Sequence, residues 1–231
     1  MASVFTYTSA NKAVSAELYA PTGSPQKGLV VIAYGSDGLV DNQNGPWATM
    51  IRGYASELAA GGSVVLIPDY LKATTTSPGL SAIEALGANS ATWIGAITDA
   101  LLQGKALAPA GARLGLLGFS LGGFLCLCAR GDAHALSSYF APIAVPPSSN
   151  IGPAPTGSEL SFAEIHQGTA DPLVDVANAT QILNALKAEG VATAKYEYTG
   201  AGHGFAGADP ANVAARTDSK TRTLAFFGTY L

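Results

Sequence analysis

The stretch Arg113-Leu114-Gly115-Leu116-Leu117-Gly118-Phe119-Ser120-Leu121-Gly122-Gly123-Phe124-Leu125 decides how the chain is read. Its apolar run, Leu114 to Leu117, predicts a buried strand, and Leu121 to Arg130 predicts a buried helix. Between them Ser120 is framed as Gly118-Phe119-Ser120-Leu121-Gly122, the pattern Gly-x-Ser-x-Gly on a strand-to-helix turn. The spacing has a steric reason. A sharp turn pushes the serine hydroxyl out at the sheet edge. Side chains two residues to either side would strike neighbouring backbone, so glycine is needed there. The turn also puts the Leu121 amide at a helix N-terminus, where unpaired N–H groups and the helix dipole favour negative charge. In a chain with 27 glycines the pattern alone is weak; the strand before it and the helix after it supply the context it requires.

Bulk properties bound the rest. A length of 231 residues suits one large domain, 1–231. Hydrophobic residues make up 48% and charged residues 12%, about half the usual charged share of roughly 25%, which argues for a large core. The net charge of −4 offers no basic stripe for nucleic acid. No apolar run approaches the roughly 18 residues of a membrane span. The start, Met1-Ala2-Ser3-Val4-Phe5, has no basic or apolar leader segment, so a cytoplasmic protein is expected. Cys126 and Cys128 sit two apart on the predicted helix. That places them on different sides, where they read as small buried apolar residues rather than a disulfide. His134, His166 and His203 show no metal-ligand spacing, and neither a metal nor another cofactor is expected.

Outward from the elbow, strand and helix patterns alternate. Strands are predicted at Val14 to Tyr19, Leu29 to Ala33, Val64 to Tyr70, Ser138 to Pro142, Phe162 to His166 and Ala194 to Tyr198. Helices are predicted at Met50 to Ala60, Ala91 to Leu107, Val176 to Glu189 and about Ala211 to Leu231. Loops are predicted at Lys72 to Leu80, rich in Thr, Ser and Pro, and at Pro142 to Ser161, with five prolines. Such alternation implies a mostly parallel central sheet with helices on both faces. Ligands then bind beyond the carboxyl ends of the strands, which is where the polar candidates fall.

A serine needs a base to take its proton. His203, in Gly200-Ala201-Gly202-His203-Gly204 after a strand, is the best placed. Asp171 follows another strand and lies between Ser120 and His203, which gives the chain order Ser, Asp, His. Asp-Pro also starts turns and helices, so Asp175 is kept in reserve. His166 reads as a buried structural histidine, His134 as a surface residue and Asp69 as a turn or cap residue. Oxyanion donors are expected from the Leu121 amide and from Gly35-Ser36-Asp37-Gly38, at Ser36 or Asp37. Tyr34, Asp37, Trp47 and Tyr70 are candidate substrate-binding residues.

At this point the chain resembles the dienelactone hydrolase family of α/β-hydrolases. The resemblance is carried by Val31-Ile32-Ala33-Tyr34-Gly35-Ser36-Asp37-Gly38-Leu39, Ile67-Pro68-Asp69-Tyr70-Leu71, Gly118-Phe119-Ser120-Leu121-Gly122-Gly123, His166-Gln167-Gly168-Thr169-Ala170-Asp171-Pro172 and Gly202-His203-Gly204-Phe205. It implies the α/β-hydrolase fold, a Ser120, Asp171 and His203 triad, and Ser36 and Leu121 as oxyanion donors. Members that open dienelactones carry a cysteine nucleophile and a glutamate in the oxyanion loop. Here the nucleophile is Ser120 and Gly35 stands in the glutamate's place. The expectation is a serine hydrolase of small esters or lactones with a modest pocket for short acyl groups. A thioesterase and a non-catalytic binding protein on the same fold are the alternatives.

Overall fold

The computed structural model describes residues 2–22, 27–143, 151–152 and 155–231. In chain order the elements are β1 (Ser3–Ser9), β2 (Lys12–Tyr19), β3 (Leu29–Ala33), a small ribbon of β4 (Asp41–Asn42) and β5 (Gly45–Pro46), α1 (Trp47–Ala60), β6 (Val64–Pro68), α2 (Leu80–Glu84) and α3 (Leu86–Gly104). There follow β7 (Leu114–Phe119), α4 (Leu121–Cys128), β8 (Ala135–Tyr139), β9 (Phe162–Gly168), α5 (Ala177–Ala188), β10 (Ala192–Tyr198) and α6 (Pro210–Tyr230).

Eight of these strands form one sheet in the order β1-β2-β6-β3-β7-β8-β9-β10. From β6 to β10 every neighbouring pair is parallel. Only β2 runs against its neighbours β1 and β6. Helices α1 and α6 pack together on one face; α3, α4 and α5 cover the other. This is the α/β-hydrolase architecture. Every residue of β3, β6, β7 and β8 is buried, as parallel strands covered on both faces require. Among the described residues, no helix is long and apolar enough to cross a membrane.

The sheet order explains where chemistry can gather. From β3 the chain moves to β6 on one side, then returns across β3 to β7 on the other. The direction of winding therefore reverses between β3 and β7, and a crevice opens beyond their carboxyl ends. The loop after β3 carries Ser36, and the residue after β7 is Ser120.

Several boundaries differ from the sequence reading. The β1–β2 hairpin was not expected at its first strand; it turns through Ala10 and Asn11, both at positive φ (48° and 62°), the hand that matches strand twist. Strand β8 begins at Ala135 rather than Ser138, because Gly115 already pairs with Ala135. Helix α3 begins at Leu86 rather than Ala91, and the short α2 occupies chain that carried no helix signal. Of the proline-rich segment, 144–150 and 153–154 lie outside the described residues.

The elbow glycines are sterically obligatory. A Cβ on Gly122 would run into the carbonyl oxygens of Ala33 and Tyr34, and one on Gly118 into the backbone of Gly122 and Gly123. By contrast, Gly95 in α3 faces open space. Overpacking costs roughly 1–3 kcal/mol, and a helical Gly→Ala change gains up to about 1 kcal/mol. Gly122→Ala is therefore expected to lower Tm by several degrees, while Gly95→Ala leaves it unchanged or raises it. Thermal unfolding followed by circular dichroism checks both.

Candidate active site

Ser120 stands at the junction of β7 and α4 with φ 52° and ψ −119°. A non-glycine residue holds such a conformation only when its surroundings over-determine it. Here its amide donates to Tyr139 O at 2.9 Å and its carbonyl accepts from Phe124 N at 3.1 Å. The neighbouring strand and the first turn of the helix thus clamp it from both sides. The hydroxyl is left facing the crevice.

His203 arrives from the loop after β10. Its Nε2 lies 3.1 Å from Ser120 Oγ, and its Nδ1 lies 2.8 Å from Asp171 Oδ2. Gly204 beside it adopts φ 70° and has the Trp47 indole packed against it where a Cβ would stand. Phe140 meets the imidazole edge-on, with ring centroids 4.9 Å apart. The Gly202 amide donates to Asn212 Oδ1 at 2.8 Å, which ties the loop to α6.

Asp171 is fully covered and fully bonded. Its Oδ2 accepts from His203 and from Gln167 Nε2 at 3.1 Å; its Oδ1 accepts from the Leu173 and Val174 amides at 2.8 and 2.9 Å. It is therefore a turn residue and a histidine partner at once. Burial works to raise its carboxyl, but the His203 hydrogen bond and the Val174 and Leu173 amides outweigh it and hold the group below its ordinary value. An ionised Asp171 can only accept, so Nδ1 of His203 must carry the proton of their shared bond. In the neutral imidazole the Nε2 lone pair then faces Ser120.

The loop after β3 closes a turn through Gly38 N to Gly35 O at 3.0 Å, with Ser36 and Asp37 at its tip. Ser36 O accepts from Gly79 N at 2.8 Å, joining this loop to the entry of α2. Leu121 opens α4, so its amide belongs to the first turn, which has no intrahelical acceptor. The Asp37 carboxylate is turned aside: its Oδ2 accepts from Trp47 Nε1 at 2.9 Å and Asn44 Nδ2 at 3.2 Å. A cavity of about 1030 Å³ lies over this constellation, bordered by Ser36, Asp37, Trp47, Ser120, Leu121 and His203, with Met50, Phe119, Phe140 and Val174 among its apolar walls. It exceeds the modest pocket expected from sequence. Gly79, Leu80 and Pro142, from the two loops expected near the pocket, also border it.

Two candidates belong elsewhere. Tyr34 and Tyr70 do not line this cavity, which corrects their assignment as substrate-binding residues. Both are buried, with their rings stacked 4.5 Å apart. Tyr34 donates to Asp69 Oδ1 at 2.8 Å, and Tyr70 donates to Tyr34 O at 2.8 Å. They spend their hydroxyls on bracing the loop. Asp69 also pairs with Lys72 at 2.6 Å, in keeping with a turn residue.

His166 is buried under the sheet, 3.1 Å from Glu164 and 2.9 Å from the Tyr198 hydroxyl. His203 Nδ1 is bonded to Asp171 rather than Asp175, which accepts from the Ala177 amide at the start of α5. His134 is half-buried rather than on the surface, edge-on to Phe162, and burial pushes its ring pKa down. Cys126 is buried and Cys128 partly so; both thiols are free, and burial pushes both pKa values up, that of Cys128 to about 11. Among the described residues no cluster of three or more His, Cys, Asp or Glu is arranged as metal ligands. Sequence reading missed Gln167, whose only signal is its place four residues before Asp171.

The model of the dienelactone hydrolase family matches residues 14–231. The sequence has no significant match among curated proteins. Among solved structures the chain is similar to a candidate dienelactone hydrolase from Klebsiella pneumoniae, at 16% identity and a TM-score of 0.78, covering 100% of this chain and 99% of that one. It is similar to the dienelactone hydrolase-like promiscuous phosphotriesterase P91 from metagenomic libraries, at 19% identity and a TM-score of 0.72, covering 100% and 98%. It is also similar to a puromycin-hydrolyzing peptidase from Mycobacterium tuberculosis, at 19% identity and a TM-score of 0.73, but spans only 39% of that chain. At these identities the likeness is one of fold.

The Asp171 environment has a pH signature. Its folded carboxyl is depressed, so its contribution to stability is complete above its unfolded value near pH 4. That contribution fades as pH falls through the lower folded value. Urea unfolding of Asp171→Asn is expected to show a stability deficit against the parent at pH 7 that shrinks as the pH is taken toward about 3.

Proposed function

The chain belongs to the dienelactone hydrolase family, and from that premise we propose that it is a serine hydrolase of carboxylic esters or lactones acting through Ser120, His203 and Asp171. The observation that carries this reading is the continuous hydrogen-bonded chain from Ser120 Oγ through His203 to Asp171, set on a strained elbow under an open cavity.

Asp171 holds the imidazole with its Nε2 lone pair toward the hydroxyl. As Ser120 Oγ attacks the substrate carbonyl carbon, His203 takes the hydroxyl proton and Asp171 stabilises the imidazolium. Negative charge develops on the carbonyl oxygen, where the Leu121 amide and the Ser36 amide, with Asp37 N–H as the alternative, donate to it. The imidazolium then protonates the departing alcohol, leaving an acyl group on Ser120. Water enters and gives a proton to His203 as its oxygen attacks the acyl carbon; the intermediate then collapses with cleavage of the bond to Ser120 Oγ, Oγ recovers the proton from His203, and the acid is released. Gly35, in place of the glutamate of cysteine-based members, leaves the nucleophile under conventional histidine control.

Ser120→Ala is expected to lower kcat on p-nitrophenyl butyrate by about 10⁴-fold or more, and Asp171→Asn by about 10³–10⁴-fold. A fluorophosphonate probe should label the parent at Ser120, with peptide mass spectrometry locating the adduct, and should leave Ser120→Ala unlabelled. Parental turnover in a clean Ser120→Ala preparation would overturn the mechanism.

A further inference from the structure

The charged and apolar groups around Ser120 are distributed unevenly. Apart from the His203 imidazole, the charged side chains lining the cavity are Asp37 and Glu84, both acidic. Among the described residues, no Lys or Arg lines it. The residues outside the described ones, 1, 23–26, 144–150 and 153–154, include neither Lys nor Arg. The Asp37 carboxylate, on the candidate oxyanion loop itself, is held in place by Trp47 and Asn44.

The mouth is apolar. Leu80 and Ile83 on α2 are 68% and 56% exposed, and Leu173, in the turn held by Asp171, is 74% exposed. All three line the same cavity. Ser120 borders that cavity too, so these three side chains are what an apolar substrate group would cover.

Resting on the serine-esterase reading, we propose that this cleft selects uncharged esters with a sizeable apolar group and rejects esters that carry a carboxylate. A substrate carboxylate would leave water for a cavity with no guanidinium or ammonium to receive it. It would also lie in the field of Asp37 and Glu84. An alkyl group loses nothing by leaving water and covers the Leu80, Ile83 and Leu173 surface. The selectivity therefore separates this site from one built for an acid-bearing lactone.

The test is a matched series of p-nitrophenyl esters: acetate, hexanoate, hydrogen adipate with its terminal carboxylate, and 6-aminohexanoate with its terminal ammonium. Hexanoate is expected to exceed acetate in kcat/KM by about tenfold or more. It should exceed hydrogen adipate by at least about tenfold, with added salt narrowing that gap. Glu84→Lys should narrow the hexanoate-to-adipate ratio. The double variant Leu80→Ser/Ile83→Ser should raise KM for hexanoate more than for acetate.

Equal kcat/KM for hexanoate and hydrogen adipate would overturn the selectivity while leaving the esterase intact. An aminohexanoate penalty as large as that for adipate would show that the acidic residues are not the cause, and would overturn it too. If no ester of any charge is cleaved and the fluorophosphonate does not label Ser120, the serine-hydrolase reading itself fails.

Discussion

The close approach of two backbones at the carboxyl ends of β3 and β7 sets up everything else. Gly122 lies against the carbonyls of Ala33 and Tyr34 so tightly that a single Cβ would separate them. That contact brings the 35–38 turn beside the N-terminus of α4. A loop amide and a helix amide can then face one point in space. It also forces the elbow to bend sharply enough to hold Ser120 at φ 52°. The geometry at Ser120 is thus a consequence of how two strands and one helix start share space.

The strain at Ser120 is balanced by a braced underside. The Ser120 amide is bonded to the last residue of β8, Tyr139, whose hydroxyl lies 2.7 Å from Thr223 and 3.1 Å from the Tyr54 hydroxyl. Thr223 and Ser137 both donate to the buried Glu164, and His166 lies beside the same carboxylate. This network ties α1 and α6 to β8 and β9. A buried polar network with its members paired specifies one arrangement, because each broken link strands a desolvated group. It fixes the ends of the strands from which Phe140, Gln167 and Asp171 project.

Above the sheet, one group does two jobs at several points. Asp171 shapes its own turn and orients His203. Gln167 fills the remaining site on the carboxylate and also donates to Val174 O at 3.0 Å. Trp47 packs on Gly204 and holds Asp37. Economy of this kind makes the site stiff, which suits chemistry that depends on donors aimed at charge before it develops. The rim differs: α2 and the Leu173 turn present apolar side chains to solvent.

The sequence by itself determined the elements whose signals are local. Gly118 and Gly122 around Ser120 announced a strand-to-helix turn, alternating apolar runs announced a parallel sheet, and the order Ser120, Asp171, His203 placed three polar residues after three strands. These were legible because sterics and periodicity act within a few residues. Only the tertiary structure decided where side chains point. It drew Tyr34 and Tyr70 under the loop, turned Asp37 onto Trp47 and Asn44, placed Gln167 on Asp171, and set Leu80, Ile83 and Leu173 around one opening. Some of those outcomes join residues far apart in sequence, as Tyr34 with Asp69 and Tyr70; the nearer pairs, Gln167 with Asp171 and Asp37 with Trp47, lie in turns and loops whose path the surrounding fold sets. Strand register and helix packing, which no short window contains, choose the partner.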